Sequence, residues 1–219
     1  MVNRIRRFEP DETEAMAEIL RNDGVISVVT DTVYGVCARM DSLAAQENLR
    51  ELKHRPADKA FPIMCCDIEQ IRTVAEVSEN GRKIIDAFMP GPVTVILKKR
   101  EDVPDFVNGG LPTLAVRMAT SEALEKLIRA VGVPLLMTSA NRSGEKTCDT
   151  LEEIELACPG LNGIMNGKPM FHEASTIIDC SGEQVRVLRK GPVSEEQIQK
   201  VLTPAWRKEE ERKTSSSNR

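Results

Sequence analysis

The sequence predicts an α/β fold in one domain, a twisted mixed β-sheet with flanking helices, and three observations carry that prediction. Short β-branched runs recur at residues 25–29, 93–97 and 114–118, too brief for helices and bounded by turn residues. Between them lie segments with apolar residues at helical spacing, the clearest being Leu124, Leu127, Ile128 and Val131. Strands and helices alternate without a strict βαβ period, which favours a mixed over a purely parallel sheet. A chain of 219 residues can bury one sizeable core.

Taken in order, residues 11–21 form a helix that Asp11 and Glu14 can open as a capping box and that Asn22-Asp23-Gly24 ends. Residues 25–29 are a strand. Ser42 caps a helix with Ala45, Leu49 and Leu52 on one face, closed by Pro56. A short strand follows at 61–65, then a helix at 78–88 stopped by Met89-Pro90-Gly91-Pro92. Strands at 93–97 and 114–118 flank the basic run Lys98-Lys99-Arg100. A helix at 121–131 leads into a strand at 134–138, and a short helix at 151–158 follows. Strands at 175–179 and 185–188 precede a last helix, opened by Ser194 with Gln197 and running to Leu202. The domain is expected over residues 1–204, with 205–219 a charged, Ser-rich and disordered tail.

Composition excludes several classes. Apolar residues are 41% and no apolar run spans a bilayer, so no membrane association is expected. The opening MVNRIRRFEPDE has no apolar stretch behind its basic start and does not read as a secretory signal. A net charge of −4 argues against coating nucleic acid by general electrostatics, although a local basic cleft stays open. Aromatics at 3% leave few platforms for stacking bases. The six cysteines contain no C-x-x-C pair, and Cys65 and Cys66 fall on opposite faces of a strand; they read as buried free thiols in a reducing cytoplasm. His54 and His172 are too far apart, and the cysteine spacing is wrong, for a structural zinc site. Gly144-Glu145-Lys146-Thr147 lacks the upstream glycine of a phosphate-binding P-loop, and there is neither a G-x-G-x-x-G nor a G-x-S-x-G.

What remains is a set of polar clusters at strand ends. Thr30, Thr32 and Tyr34 follow the strand at 25–29; Ser139, Asn141 and Ser143 follow the strand at 134–138; Thr113 and Ser175 precede strands. Lys53, Arg55, Lys59, Arg117 and Arg189 accompany them. Ligands of open α/β sheets bind at such strand ends. Hydroxyls, an amide and several cations suit an oxygen-rich anion such as a nucleotide together with a carboxylate. Each group also has a plainer reading. Thr30 and Thr32 can simply form a turn, Lys53 and Arg55 can complement a helix dipole, and Ser139-Ala140-Asn141 can be an ordinary turn. Arg117 stands apart, because a cation inside an apolar strand must be paired or face a cleft.

The order TDTVYG, K-x-R-P-A-D, PGPVTVIL, AVR, SANRSG, STIID and VLRKG resembles the YrdC-like family of threonylcarbamoyl-AMP synthases, from about residue 11 to residue 202. The resemblance implies a twisted mixed sheet around a large basic concave cavity. It implies synthesis of L-threonylcarbamoyl-AMP from L-threonine, bicarbonate or CO2, and ATP carrying Mg²⁺, with release of pyrophosphate. A partner transferase would then use the product to modify the adenosine next to the anticodon of tRNA, with tRNA itself a candidate partner. Carried over by position, Lys53 and Arg55 would be catalytic and, with Lys59, Thr113, Ser139, Asn141, Thr147 and Arg189, would hold ATP or the adenylate. Thr32, Tyr34, Met64, Arg117, Met137 and Ser175 would surround threonine, with its carboxylate as the buried partner of Arg117. No protein-held metal is implied.

This sequence departs from the family pattern in three ways. Relatives often carry a histidine where Met64 stands, which puts side-chain selectivity in question. Longer relatives add a second domain and a closing linker. His54, between the two cations, reads as solvent-facing. The main rival is a non-catalytic module binding RNA in the same cavity; a second is the carbamoyl-adenylate chemistry of hydrogenase-maturation carbamoyltransferases.

Overall fold

The structure is a computed structural model that describes residues 5–171 and 173–203; His172 and the tail at 205–219 lie outside the described residues. Its strands are β1 (Arg7–Phe8), β2 (Ile26–Val29), β3 (Tyr34–Arg39), β4 (Ile63–Cys65), β5 (Ala75–Glu76) and β6 (Val93–Lys99). They continue with β7 (Thr113–Met118), β8 (Leu135–Ser139), β9 (Gly163–Met165), β10 (Thr176–Asp179) and β11 (Arg186–Arg189). The helices are α1 (Thr13–Arg21), α2 (Leu43–Leu52), α3 (Ile68–Val74), α4 (Glu79–Phe88), α5 (Glu122–Val131), α6 (Leu151–Ala157) and α7 (Glu195–Leu202).

All eleven strands join one sheet in the order β1-β9-β2-β3-β8-β4-β7-β6-β10-β11, with β5 pairing β6 off that path. Parallel and antiparallel pairs are mixed, as predicted: β4 runs parallel to β7 and β10 to β6, whereas β3 and β4 both run antiparallel to β8. Both faces are covered. The larger core packs Val36, Ile63, Val95, Val116 and Leu136 of the sheet against Leu49 of α2 and Ile84 and Ile85 of α4. A smaller core packs Ile26, Val28 and Leu135 against Met16 and Leu20 of α1 and Leu124, Leu127 and Ile128 of α5. Side chains alternate across a pleated strand, so neighbours separate: Cys65 joins the larger core and Cys66 the smaller. All six cysteines are free and buried.

Helix starts follow local chemistry. Ser42, Asp67, Ser78, Ser121, Thr150 and Ser194 each accept a hydrogen bond from the backbone N–H three residues on, and Ser194 with Gln197 completes a capping box. The box expected at Asp11 and Glu14 does not form. Helix α1 begins two residues later, with Glu12 as its cap residue and no side-chain cap bond. The Glu14 carboxylate is taken by Arg21 at 2.7 Å, and Glu12 accepts from the Glu9 N–H at 2.8 Å. Residues 34–39, not assigned to a strand from the sequence, form β3 at the centre of the sheet.

Candidate functional site

A cavity of about 590 Å³ lies against one face of the sheet. Its floor shows the period of two: Thr113, Ala115 and Arg117 from β7, Thr94 and Ile96 from β6, and Met137 and Ser139 from β8. The alternate residues Val95, Leu97, Leu114 and Val116 belong to the larger core, which fixes the direction of the polar ones. The site therefore rests on a sheet face as well as at strand ends. Its charged lining is Arg55, Arg117 and Arg189 against Glu145.

Arg117 is the best-held of these cations. Its Nη1 donates to Thr32 Oγ1 at 3.0 Å, and its Nη2 donates to Asp31 Oδ1 at 2.7 Å and the Gly91 carbonyl at 3.2 Å. The buried partner is thus a carboxylate of the chain itself, where the sequence reading had reserved that role for threonine. A buried cation without a countercharge would be strongly disfavoured. Two atoms of the pair, Arg117 Nε and Asp31 Oδ2, are buried with no hydrogen-bond partner. Thr30 forms the turn that presents Thr32: its hydroxyl donates to the Val33 carbonyl at 2.6 Å and accepts from the Thr32 and Val33 N–H groups.

On the neighbouring strands, Arg189 donates from Nε and Nη2 to the Ser175 carbonyl and from Nη2 to Ser175 Oγ at 3.1 Å. Ser175 Oγ lies 2.7 Å from Thr94 Oγ1. Burial, and then the charge of Arg117, lower the Arg189 pKa. The two guanidinium charges therefore lie close enough to disfavour one another.

The opposite rim is the turn after β8. Ser139, Asn141 and Thr147 line the cavity there, as does Arg55. Arg55 donates to the Lys59 and Ala60 carbonyls and stacks over Phe61 at 4.8 Å, and burial lowers its pKa. Met64 and Met137 face the cavity while packing in the smaller core. Gly35 pairs with Ser139 across β3 and β8, and a Cβ there would lie 3.2 Å from Met137 Sδ. The missing side chain gives Met137 its place.

Eleven of the fourteen residues proposed from the sequence line this one cavity: Thr32, Arg55, Met64, Thr113, Arg117, Met137, Ser139, Asn141, Thr147, Ser175 and Arg189. Three do not. Lys53 is 1% exposed and lies beneath the turn after β8. Lys59 is exposed outside the lining. Tyr34 is buried and its hydroxyl donates to the Gly167 carbonyl at 2.7 Å. His54 is exposed, as read. The sequence reading missed Thr94, Asn108 and Glu145 in the lining. Thr94 had a signal in the alternation of PGPVTVIL; Asn108 had one in Asn108-Gly109-Gly110, where both glycines adopt positive φ.

Among the described residues no three His, Cys, Asp or Glu side chains converge as a metal cage. A magnesium ion carried by nucleotide phosphates needs none, and the hard oxygens of Glu145 and the lining hydroxyls fit it.

The family described as "Telomere recombination", which groups Sua5, YciO and YrdC, matches residues 18–191. A Pyrococcus abyssi protein named threonylcarbamoyl-AMP synthase is 32% identical over 209 residues, covering 92% of this chain and 60% of its own length. One of the same name from Bacillus subtilis is 32% identical over 200 residues, 90% of this chain and 58% of its own. This chain thus spans about three-fifths of the length of these relatives. The crystal structure of P. abyssi Sua5 complexed with L-threonine superposes with a TM-score of 0.83 at 31% identity, covering 91% of this chain and 61% of that one. By sequence and by fold, the chain belongs to the Sua5/YciO/YrdC family.

Proposed function

We propose that this chain makes L-threonylcarbamoyl-AMP from L-threonine, bicarbonate or CO2, and ATP, releasing pyrophosphate. The carrying observation is the single cavity whose two rims differ in chemistry. One rim groups Arg117, Thr32 and Ser175, suited to an amino acid; the other groups Arg55, Ser139, Asn141 and Thr147, suited to a nucleotide. The names of the relatives support the same reading.

The reaction is one of positioning and charge neutralisation, so no covalent nucleophile is required. The amine of threonine adds to CO2 and loses a proton, giving a carbamate. A carbamate oxygen then attacks the α-phosphorus of ATP; the new O–P bond forms as the bond to the β-phosphate oxygen breaks, and pyrophosphate leaves with that electron pair. Magnesium, when bound to ATP, neutralises phosphate charge. Arg55 and Arg189 would hold phosphate oxygens, and Arg117, which lines the same cavity, the threonine carboxylate. Met64 and Met137 would supply the apolar wall against the threonine methyl. A separate transferase would carry the threonylcarbamoyl group to tRNA in the cytoplasm.

The test is pyrophosphate release from ATP, Mg²⁺ and bicarbonate, with L-threonine, with L-serine, or with neither. Release that depends on threonine supports the reading, and the serine ratio measures what the methionine wall contributes. A folded protein that releases none overturns it; salt-sensitive RNA binding in that sample would favour the binding-module alternative.

A further inference from the structure

We infer that Lys53 is a positioning residue that clamps the turn after β8 from beneath, and that it is not itself a ligand of the phosphates. The inference refines the function proposed above, in which that turn holds the nucleotide.

Lys53 ends α2 as its C-cap residue, and its carbonyl accepts from the Ser143 N–H at 2.9 Å. Its side chain runs inward instead of out to solvent. The ammonium donates to the Ser139 carbonyl, to the Asn141 carbonyl at 2.7 Å and to Asn141 Oδ1 at 3.2 Å. A lysine ammonium has three N–H donors and no acceptor. All three are committed to the turn, leaving none for a phosphate oxygen.

The network above it is equally committed. Asn141 Nδ2 donates to the Arg142 and Glu145 carbonyls, both at 2.8 Å, which fixes the orientation of the amide. Ser139 Oγ lies 2.5 Å from Asn141 Oδ1, an atom that only accepts, so the serine hydroxyl must donate to it. What Ser139 offers the cavity is an acceptor lone pair. Phosphate oxygens also only accept, so Ser139 Oγ suits the hydroxyls or amine of a nucleoside. Donors for phosphate come from Arg55 and Arg189, whose hydrogen bonds use Nε and Nη2 and leave Nη1 uncommitted.

No carboxylate stands within ion-pair distance of Lys53 among the described residues. Carbonyl dipoles hold the charge instead, so removing it releases the Ser139 and Asn141 carbonyls together. The K-x-R pair therefore splits by role, with the lysine shaping the wall and the arginine meeting the ligand.

The first test uses the free protein, independent of any activity. Backbone hydrogen exchange is compared in wild type, Lys53→Met and Arg55→Ala. The clamp predicts that residues 139–148 exchange at least about tenfold faster in Lys53→Met, the loss of roughly one to two hydrogen bonds. Arg55→Ala should leave 139–148 unchanged and loosen 56–61 instead. Wild-type protection of 139–148 in a folded Lys53→Met protein overturns the inference.

The second test separates a clamp from a phosphate ligand by titrating ATP and inorganic pyrophosphate. Lys53→Met should weaken ATP binding about tenfold and leave pyrophosphate binding within about threefold of wild type, with Lys53→Arg recovering part of the ATP loss. Arg55→Ala should lose both ligands. Parallel loss of ATP and pyrophosphate in Lys53→Met overturns the assignment. Should wild type bind neither ligand, the function proposed above fails while the exchange result still decides the clamp. Should Lys53→Met not fold, the wild-type ammonium proton signal decides. A clamped ammonium exchanges slowly with water and keeps that protection when pyrophosphate is added; fast exchange throughout overturns the clamp.

Discussion

Lys53 and Arg117 are both buried cations beside the same cavity, and the chain satisfies them by opposite means. Arg117 has a carboxylate partner in Asp31, lines the cavity and commits three of its five N–H donors, to Thr32, Asp31 and Gly91. Lys53 has only carbonyl and amide oxygens, lies behind the lining and has no donor left. The contrast separates two uses of buried positive charge. A cation neutralised by its own carboxylate is held rigidly and can still offer a spare donor to a ligand. One neutralised by backbone dipoles fixes the shape of the loop that supplies them.

Breaking each arrangement should have its own signature. The largest effect is expected from Asp31→Ala, which strands the Arg117 charge. Removing one partner of a buried pair typically costs about 3–5 kcal/mol, read as a lower urea midpoint. The double variant Asp31→Ala/Arg117→Met should recover most of that loss, because no charge is then stranded; a double variant as unstable as the single one would contradict the pairing. Next comes Arg55→Ala, which removes a donor without burying anything unpaired. Its threonine-dependent pyrophosphate release should fall about a hundredfold, near 3 kcal/mol, with the urea midpoint close to wild type. Near wild-type turnover would remove Arg55 from the site.

The smallest effect is a pH dependence. Burial pulls Lys53 down to about 8. The titratable groups facing it are Arg55, which stays charged, and the neutral thiols of Cys148, pushed up to about 11, and Cys158, also raised by burial. With a folded pKa below its ordinary value, Lys53 loses its proton in the folded state first. Its own contribution to stability therefore rises with pH above about 8, even as the turn loses a donor. ATP affinity should accordingly weaken severalfold from pH 7 to 9 without a matching loss of stability, and that dependence should flatten in Lys53→Arg.

Sequence chemistry made much of this legible because it is local. Ser42, Ser121 and Ser194 announce their helices, and the motif order that carries the family resemblance pointed to eleven residues that line one cavity. What was not legible depends on distant partners. Tyr34–Arg39 reads weakly as a strand because both its faces are buried, which removes the polar alternation, and because it carries Gly35. β1, β5 and β9 are two or three residues long and exist only through their neighbours. Asp31 stands between two threonines with nothing local to mark it as the partner of a residue 86 positions away. Lys53 at a helix end looks the same in sequence whether it points to water or beneath a loop. Period-two reading of 93–97 and 113–118 would have found Thr94 at the cavity floor. The capping box at Asp11 failed because Glu14 had a longer-range partner in Arg21.

The position of β9 has a consequence for biosynthesis. β9 is inserted between β1 and β2, pairing Arg7 with Ile164 on one side and Ile26 with Gly163 on the other. A chain growing from its N-terminus therefore presents an unpaired apolar edge at β2 until about residue 165 has left the ribosome. Such edges recruit other strands, which makes the nascent chain vulnerable to aggregation from the completion of β2 until β9 is made.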